Sequence, residues 1–113
     1  MAYDESLAER IRAALALAAP DHREIALFGG LCWTVNTHMA VGVGDAELMV
    51  AVGSAGVPAA LEDGAHPMTM GSRTMAGVVG VADPDDEELA RWVDRGVSRA
   101  RALPPKPPKP PRR

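Results

Sequence analysis

The side chains of this sequence that most readily perform chemistry near neutral pH are three histidines and one cysteine: His22, Cys32, His38 and His66. None of them stands two to four residues from another, which is the spacing that preassembles a zinc site. A nucleophilic cysteine needs a nearby histidine and an acid that orients it. No acid lies between Cys32 and His38. We therefore predict no metal site and no catalytic residue.

The acidic and glycine-rich stretches also lack the features of a ligand site. The acidic run at residues 83–88 has neither the central glycine nor the alternating oxygen ligands of a calcium loop. Gly29 and Gly30 have neither the lysine nor the strand, loop and helix spacing of a phosphate loop. The acidic run is better explained as stabilisation of a helix N-terminus, and no cofactor is predicted.

One arrangement leaves a chemical role open, because Cys32 and Trp33 lie on one strand of a predicted hairpin and His38 lies across that hairpin, at the end of its loop. The alternative hypothesis is that a pocket forms near these three residues and that the protein is a small-ligand binder or an enzyme. Catalysis in such a pocket would require an acid or a metal from elsewhere. This hypothesis is the alternative to a noncatalytic role.

The composition is that of a globular chain with an uneven distribution of charge. The 113 residues are 47% apolar and 24% charged, with a formal net charge of −3. Residues 1–100 carry seven basic and fifteen acidic side chains, a net charge of −8, whereas residues 101–113 carry five basic side chains and no acid. An acidic body repels phosphate, so we expect nucleic-acid contact only as a weak one through the tail.

The cysteine count and the apolar runs indicate the compartment. A single cysteine excludes an intramolecular disulfide scaffold. The acidic stretch at residues 1–5 lacks the basic lead-in of a signal peptide, and the apolar run at residues 13–19 is too short to cross a bilayer. We predict a cytoplasmic protein without membrane contact.

Apolar residues recur with helical spacing in two segments. The first is at residues 7–18 with Asp4 as N-cap, and the second is at residues 89–103 with Asp83 as N-cap. A shorter helix is predicted at residues 54–63.

Alternating apolar and small or polar residues indicate strands. They lie at residues 25–28, 31–35, 39–43, 48–52 and 75–81. The first is a separate strand or the start of a bent one, residues 36–38 form a hairpin loop, and residues 64–71 are predicted to be an irregular connection.

This order predicts an α+β fold, a two-layer sandwich in which an N-terminal and a C-terminal helix pack on an antiparallel meander sheet. The order is one helix, three or four strands, a short helix, one or two strands and a final helix. Residues 1–103 form a single domain and residues 104–113 a proline-rich basic tail. Phe28, Trp33, Met39 and Trp92 are predicted in the core.

The other side of the predicted strands carries no charge. It comprises Cys32, Thr34, Ala40, Gly42, Met49 and Ala51. A solvated sheet face is normally polar, so we expect a loop, the tail or another subunit to cover this one. The tail, which contains PxxP frames beside basic residues, is either a recognition segment or a solubilising arm.

Several short motifs follow one another along nearly the whole chain. They are Phe28-Gly29-Gly30-Leu31, Trp33, Asn36, Met39, Gly42-Val43, Leu48, Val50, Val52, Pro67-Met68, Gly71, Met75, Gly77, Val81, Trp92-Val93 and Leu103-Pro104-Pro105-Lys106-Pro107. In this order and spacing they resemble the N-terminal domain family of the TfoX, or Sxy, competence regulators, and its small stand-alone members in particular.

The resemblance implies a two-layer α/β domain that regulates DNA uptake through contacts with the transcription machinery, without catalysis. The family often has basic residues before its Phe-Gly-Gly stretch and at the position of Ala51. This chain has apolar residues at 25–27 and at Ala51, so the resemblance implies no charge-based contact there.

These patterns together predict a noncatalytic protein-interaction or regulatory module. Its partner is a protein, with the transcription machinery implied by the resemblance, or a second copy of the chain. The candidate interaction residues are Phe28, Gly29, Gly30, Thr34, Met49, Ala51, Lys106, Lys109, Arg112 and Arg113.

Overall fold

Three helices and a six-stranded antiparallel sheet make up the computed structural model, which describes residues 4–27, 30–44, 47–70 and 73–105. The helices are α1 (Glu5–Ala18), α2 (Val57–Glu62) and α3 (Asp86–Ala102), with a 3₁₀ turn at Ser54–Gly56 leading into α2. The strands are β1 (Arg23–Leu27), β2 (Gly30–Val35), β3 (His38–Gly44), β4 (Glu47–Ala51), β5 (His66–Met70) and β6 (Arg73–Ala82). They lie in the order β1-β2-β3-β4-β6-β5. The α+β class with a helix-packed antiparallel sheet is confirmed.

Both long helices begin where a carboxylate accepts hydrogen bonds from their first turn. Asp4 accepts from the backbone N–H of Leu7 at 3.1 Å, as predicted. Helix α3 begins two residues later than predicted. Asp85 rather than Asp83 is its N-cap, because Asp85 and Glu88 form a reciprocal capping box.

The two edges of the sheet resolve the uncertain strand predictions. Strand β1 is a separate strand, paired antiparallel with β2. The prediction of an irregular connection at residues 64–71 is wrong, since β5 lies there and pairs with β6. Pro67 is accommodated because β5 is an edge strand, where a missing N–H interrupts no ladder.

The hydrophobic core fills the space between the helices and one side of the sheet, which we call the helix face. All three helices contribute to this core. Its strand residues are Leu31, Trp33, Val35, Ala40, Val41, Val43, Leu48, Val50, Val79 and Val81. Trp33 and Trp92 are buried as predicted, whereas Phe28 lies outside the described residues.

A β-bulge in β3 overturns the prediction for two neighbouring residues. Trp33 pairs with Val41, but the next residue, Thr34, pairs with Met39, which leaves Ala40 as the extra residue. A bulge reverses the alternation of side chains beyond it. Ala40 is therefore in the core with no exposed surface, and Met39 lies on the opposite side of the sheet.

Helix α3 approaches the sheet most closely at this bulge. A methyl group placed on Gly96 would overlap the carbonyl oxygen of Ala40 and lie 3.2 Å from Val41 Cγ1. Glycine inside a helix is about 0.5–1 kcal/mol less favourable than alanine. Its presence here is explained by the space that the Ala40 carbonyl occupies.

We predict that Gly96→Ala destabilises the protein although alanine is the better helix former. The added methyl group must push α3 away from β3, and overpacking of this kind typically costs about 1–3 kcal/mol. Urea unfolding followed by circular dichroism measures the change. Ser98→Ala, at an exposed position of the same helix, is the control and should change stability little. A Gly96→Ala protein as stable as the parent would contradict the close approach.

Candidate functional site: the open face of the sheet

The side of the sheet opposite the helices, which we call the open face, is uncharged at its centre. This centre comprises Ile25, Cys32, Thr34, Met39, Gly42, Met49, Ala51, Met68, Val78 and Gly80. Cys32 and Ala51 are 8% and 4% exposed, yet neither belongs to the core cluster under the helices. The open face is therefore a second, smaller apolar layer that no helix of the described residues covers.

The register places one residue of each strand in a single row across the open face. From β1 to β5 the row is Ile25, Cys32, Gly42, Met49, Gly80 and His66. Small side chains occupy β2 and β3, between Ile25 on one side and Met49 on the other. The β2 and β3 positions of this row therefore form a shallow trough, into which the methionine side chains over Gly42 project.

Methionine side chains lie over the glycines of this row. A methyl group placed on Gly42 would lie 3.0 Å from Met49 Cε and 3.1 Å from Met39 Cε, and one placed on Gly80 would overlap Met68 Sδ. Methionine is unbranched and polarizable, so it adapts its shape to an apolar neighbour. The methionine side chains at the centre of the open face can therefore change conformation to fit an apolar neighbour.

The charged groups that the described residues place on the open face lie at its margins. Arg23 pairs with Thr34 at the β1 edge, and at the opposite edge His66 Nε2 lies 2.6 Å from Glu47 Oε1. His66 Nδ1 lies 3.0 Å from the carbonyl oxygen of Pro67. Each ring nitrogen thus faces a hydrogen-bond acceptor. These contacts stabilise the protonated ring and raise the pKa of the His66 imidazole, the Pro67 carbonyl more than the Glu47 carboxylate.

The structure brings together three of the predicted interaction residues, Thr34, Met49 and Ala51, on the open face. Gly30 begins β2, pairs with Leu27 and is buried. The remaining predicted residues lie outside the described part of the chain. They are Phe28, Gly29, Lys106, Lys109, Arg112 and Arg113.

The hypothetical pocket near Trp33, Cys32 and His38 is not assembled, because neighbouring residues of a strand point to opposite sides. Cys32 is on the open face, whereas Trp33 is fully buried on the helix face. Trp33 Nε1 donates to Glu24 Oε1 at 2.9 Å, and Arg12 donates to both oxygens of that carboxylate. Trp33 thus has a structural role, joining β2 to β1 and α1.

His38 instead helps to hold the end of α3. The β2–β3 turn consists of Asn36 and Thr37, both with positive φ, as a two-residue hairpin turn requires. Asn36 Nδ2 donates to the Leu103 carbonyl at 2.8 Å. His38 Nε2 lies 2.7 Å from the Pro104 carbonyl, to which it donates. Pro104, the first residue of the proline-rich segment, therefore lies beside this turn.

Sequence reasoning missed several residues of the open face. The sequence patterns predict Met39 in the core and His66 and Met68 in an irregular connection. None of the three is therefore among the predicted interaction residues. The alternation of His66 and Met68 with Pro67 and Thr69 was a usable strand signal. No feature of the sequence indicates the bulge that places Met39 on the open face.

Within the described ranges, no three His, Cys, Asp or Glu side chains are grouped closely enough to hold a metal ion. No helix in the same part of the chain is long and apolar enough to cross a membrane. Comparisons with protein-family models, curated proteins and solved structures find no match to this chain. The resemblance to TfoX N-terminal domains therefore stays a prediction.

We predict that the His66 imidazole titrates above its ordinary value of 6.5 and that Glu47→Gln lowers its pKa. A raised pKa in the folded state adds stability below the unfolded-state pKa, and this stability is lost as pH rises through the folded-state value. Glu47→Gln should therefore destabilise the protein more at pH 5.5 than at pH 8.5.

The imidazole NMR shifts and the midpoint of thermal unfolding measure the two effects. Glu62→Gln, at an exposed position of α2, is the control and should change neither. A His66 pKa that Glu47→Gln leaves unaltered would contradict the contribution of this ion pair.

Proposed function

We propose that this protein is a noncatalytic protein-binding module whose open face takes an apolar segment of a protein partner. The observation that carries the proposal is the uncharged, methionine-rich centre of a sheet face that no described helix covers. A sheet face that only meets water is normally polar. Contiguous apolar surface on a soluble protein marks an interaction site.

The shape of the open face favours an amphipathic helix as the bound segment. Ile25 on β1 and Met49 on β4 are three strand spacings apart, about 14 Å, with Cys32 and Gly42 between them. An α-helix with its side chains is about 10–12 Å wide, which fits this trough. The methyl groups of Met39 and Met49 over Gly42 must rotate aside or pack on the incoming helix.

The margins of the face support the same proposal. Arg23 lies at one edge and the Glu47–His66 pair toward the other, so charged groups flank the uncharged centre on two sides. Protein interfaces have this arrangement, in which an apolar core is enclosed by a polar rim. The rim charges would orient the partner, and the apolar centre would provide most of the affinity.

The regulatory part of the proposal comes from the resemblance to TfoX N-terminal domains. It makes a component of the transcription machinery the expected partner and the cytoplasm the expected location. A salt-sensitive contact of the basic tail with nucleic acid stays a prediction about residues outside the described ranges.

A photo-crosslinking amino acid at position 49 tests the open face directly. In cells of the native host, the full chain with this group at Met49 should crosslink to one protein. The same group at Leu17, which is 90% exposed on α1, should not crosslink to that protein. A product at position 49 that contains only a second copy of this chain would replace the proposed partner by a homodimer. No product at position 49 would contradict the proposal.

We predict that Met49→Lys weakens binding of the crosslinked partner by at least about tenfold, because an unpaired charge must be desolvated at the interface. The dissociation constant of the purified complex measures the effect. Leu17→Lys adds the same charge at an exposed site and should leave affinity unchanged. Unaltered affinity in a folded Met49→Lys protein would place the interface elsewhere.

A further inference from the structure

A pocket of about 310 Å³ lies at the end of the sheet from which the proline-rich segment leaves. Its lining residues come from β3, the end of β4, the turn after β4, β6 and α3. They are His38, Met39, Ala51, Gly53, Ser54, Ala76, Gly77, Val78 and Arg99. The volume is at the lower end of the range for small-molecule sites. The pocket therefore suits a small ligand.

Arg99 distinguishes this pocket from the rest of the surface. Arg10, Arg12, Arg95 and Arg101 each form an ion pair with a carboxylate. Arg23, Arg91 and Arg99 have no such partner among the described residues, and of these three only Arg99 is half-buried. Its guanidinium is held against the turn after β4, since a methyl group placed on Gly53 would lie 2.8 Å from Arg99 Nε and 3.3 Å from Nη2.

The absence of a counter-charge at Arg99 is notable in so acidic a body. Residues 1–100 have a net charge of −8, yet none of the described residues lining the pocket is acidic. A basic residue in the last turn of α3 is favoured by the helix dipole. Arg101, in the same turn, shows that this position also permits an ion pair, here with Asp21. The guanidinium of Arg99 is thus available for an external anion.

The other lining residues include both polar and apolar side chains. Ser54, whose hydroxyl can donate a hydrogen bond, lines the pocket together with Arg99. Met39, Ala51 and Val78 supply an apolar wall. His38 closes the pocket toward the chain end, with Nε2 engaged by the Pro104 carbonyl.

We propose that this pocket binds a small aliphatic carboxylic acid as its carboxylate. The planar guanidinium of Arg99 presents two parallel N–H donors that match the two carboxylate oxygens. A single guanidinium balances one negative charge, which favours a carboxylate over a doubly charged phosphate. The aliphatic body packs on the wall formed by Met39, Ala51 and Val78. This site adjoins the open face, with which it shares Met39, Ala51 and Val78, but its ligand is a small molecule rather than the protein partner proposed there.

Titration of the full, isotope-labelled chain with hexanoate, followed by amide NMR, tests the site. Saturable shifts should be confined to the amides of the pocket, those of Gly53, Ser54, Gly77 and Val78 in particular. Loss of a bidentate, charge-assisted contact in Arg99→Gln should weaken binding at least about tenfold. Arg91→Gln, at an exposed position of the same helix, is the matched control and should bind hexanoate like the parent.

Two further ligands and one further variant keep the test decisive. Hexanamide, the neutral analogue, and inorganic phosphate should both bind more weakly than hexanoate. If Arg99→Gln does not fold, Arg99→Lys retains the charge without the two parallel donors and should still weaken hexanoate binding. The proposal is overturned by an absence of saturable shifts, by hexanamide or phosphate binding as tightly as hexanoate, or by Arg99→Lys binding like the parent. Crosslinking at Met49 is a separate readout, so either proposal can fail without the other.

Discussion

Helix α3 meets the sheet at Gly96, and both sides of the sheet depend on that contact. The helix lies against the Ala40 carbonyl, at the residue that the bulge adds to β3. The bulge turns Ala40 toward the core and Met39 toward the open face. A regular β3 would place a methionine beneath α3, where a glycine and an alanine now meet. The close packing of the core and the methionine on the open face therefore have the same origin.

The packing of α3 on the sheet also positions Arg99 and the start of the proline-rich segment at the C-terminal end of this helix. Asn36 and His38, from the β2–β3 turn, hold the backbone carbonyls of Leu103 and Pro104. With the helix end held in this way, Arg99 lies against Gly53 at the mouth of the pocket. The open face, the pocket and the exit of the proline-rich segment are consequently adjacent. All three are placed by one helix that is anchored at Gly96 and at the hairpin turn.

Much of this architecture could be predicted because it rests on local chemistry. The Asp4 cap, the periodicity of the two long helices and the alternation in β2 to β4 each follow from residues close together in sequence. The grouping of Thr34, Met49 and Ala51 on one face also followed from alternation. The bulge at Ala40 could not be predicted, since the alternation of residues 39–43 shows no sign of it and the helix that packs on it, α3, is far away in sequence. The Arg99 pocket could not be predicted either, because its lining comes from four stretches that are far apart in sequence.

If the open face binds a protein partner, it is accessible in the isolated protein and covered in the cell. Relaxation of the assigned methionine methyl groups by a soluble paramagnetic probe measures this accessibility. We expect the probe to relax the Met39, Met49 and Met68 methyl groups of the purified chain at every protein concentration, and a native host lysate to protect them. Methyl groups that are already protected in the dilute purified protein, or that stay equally accessible in the lysate, would contradict it.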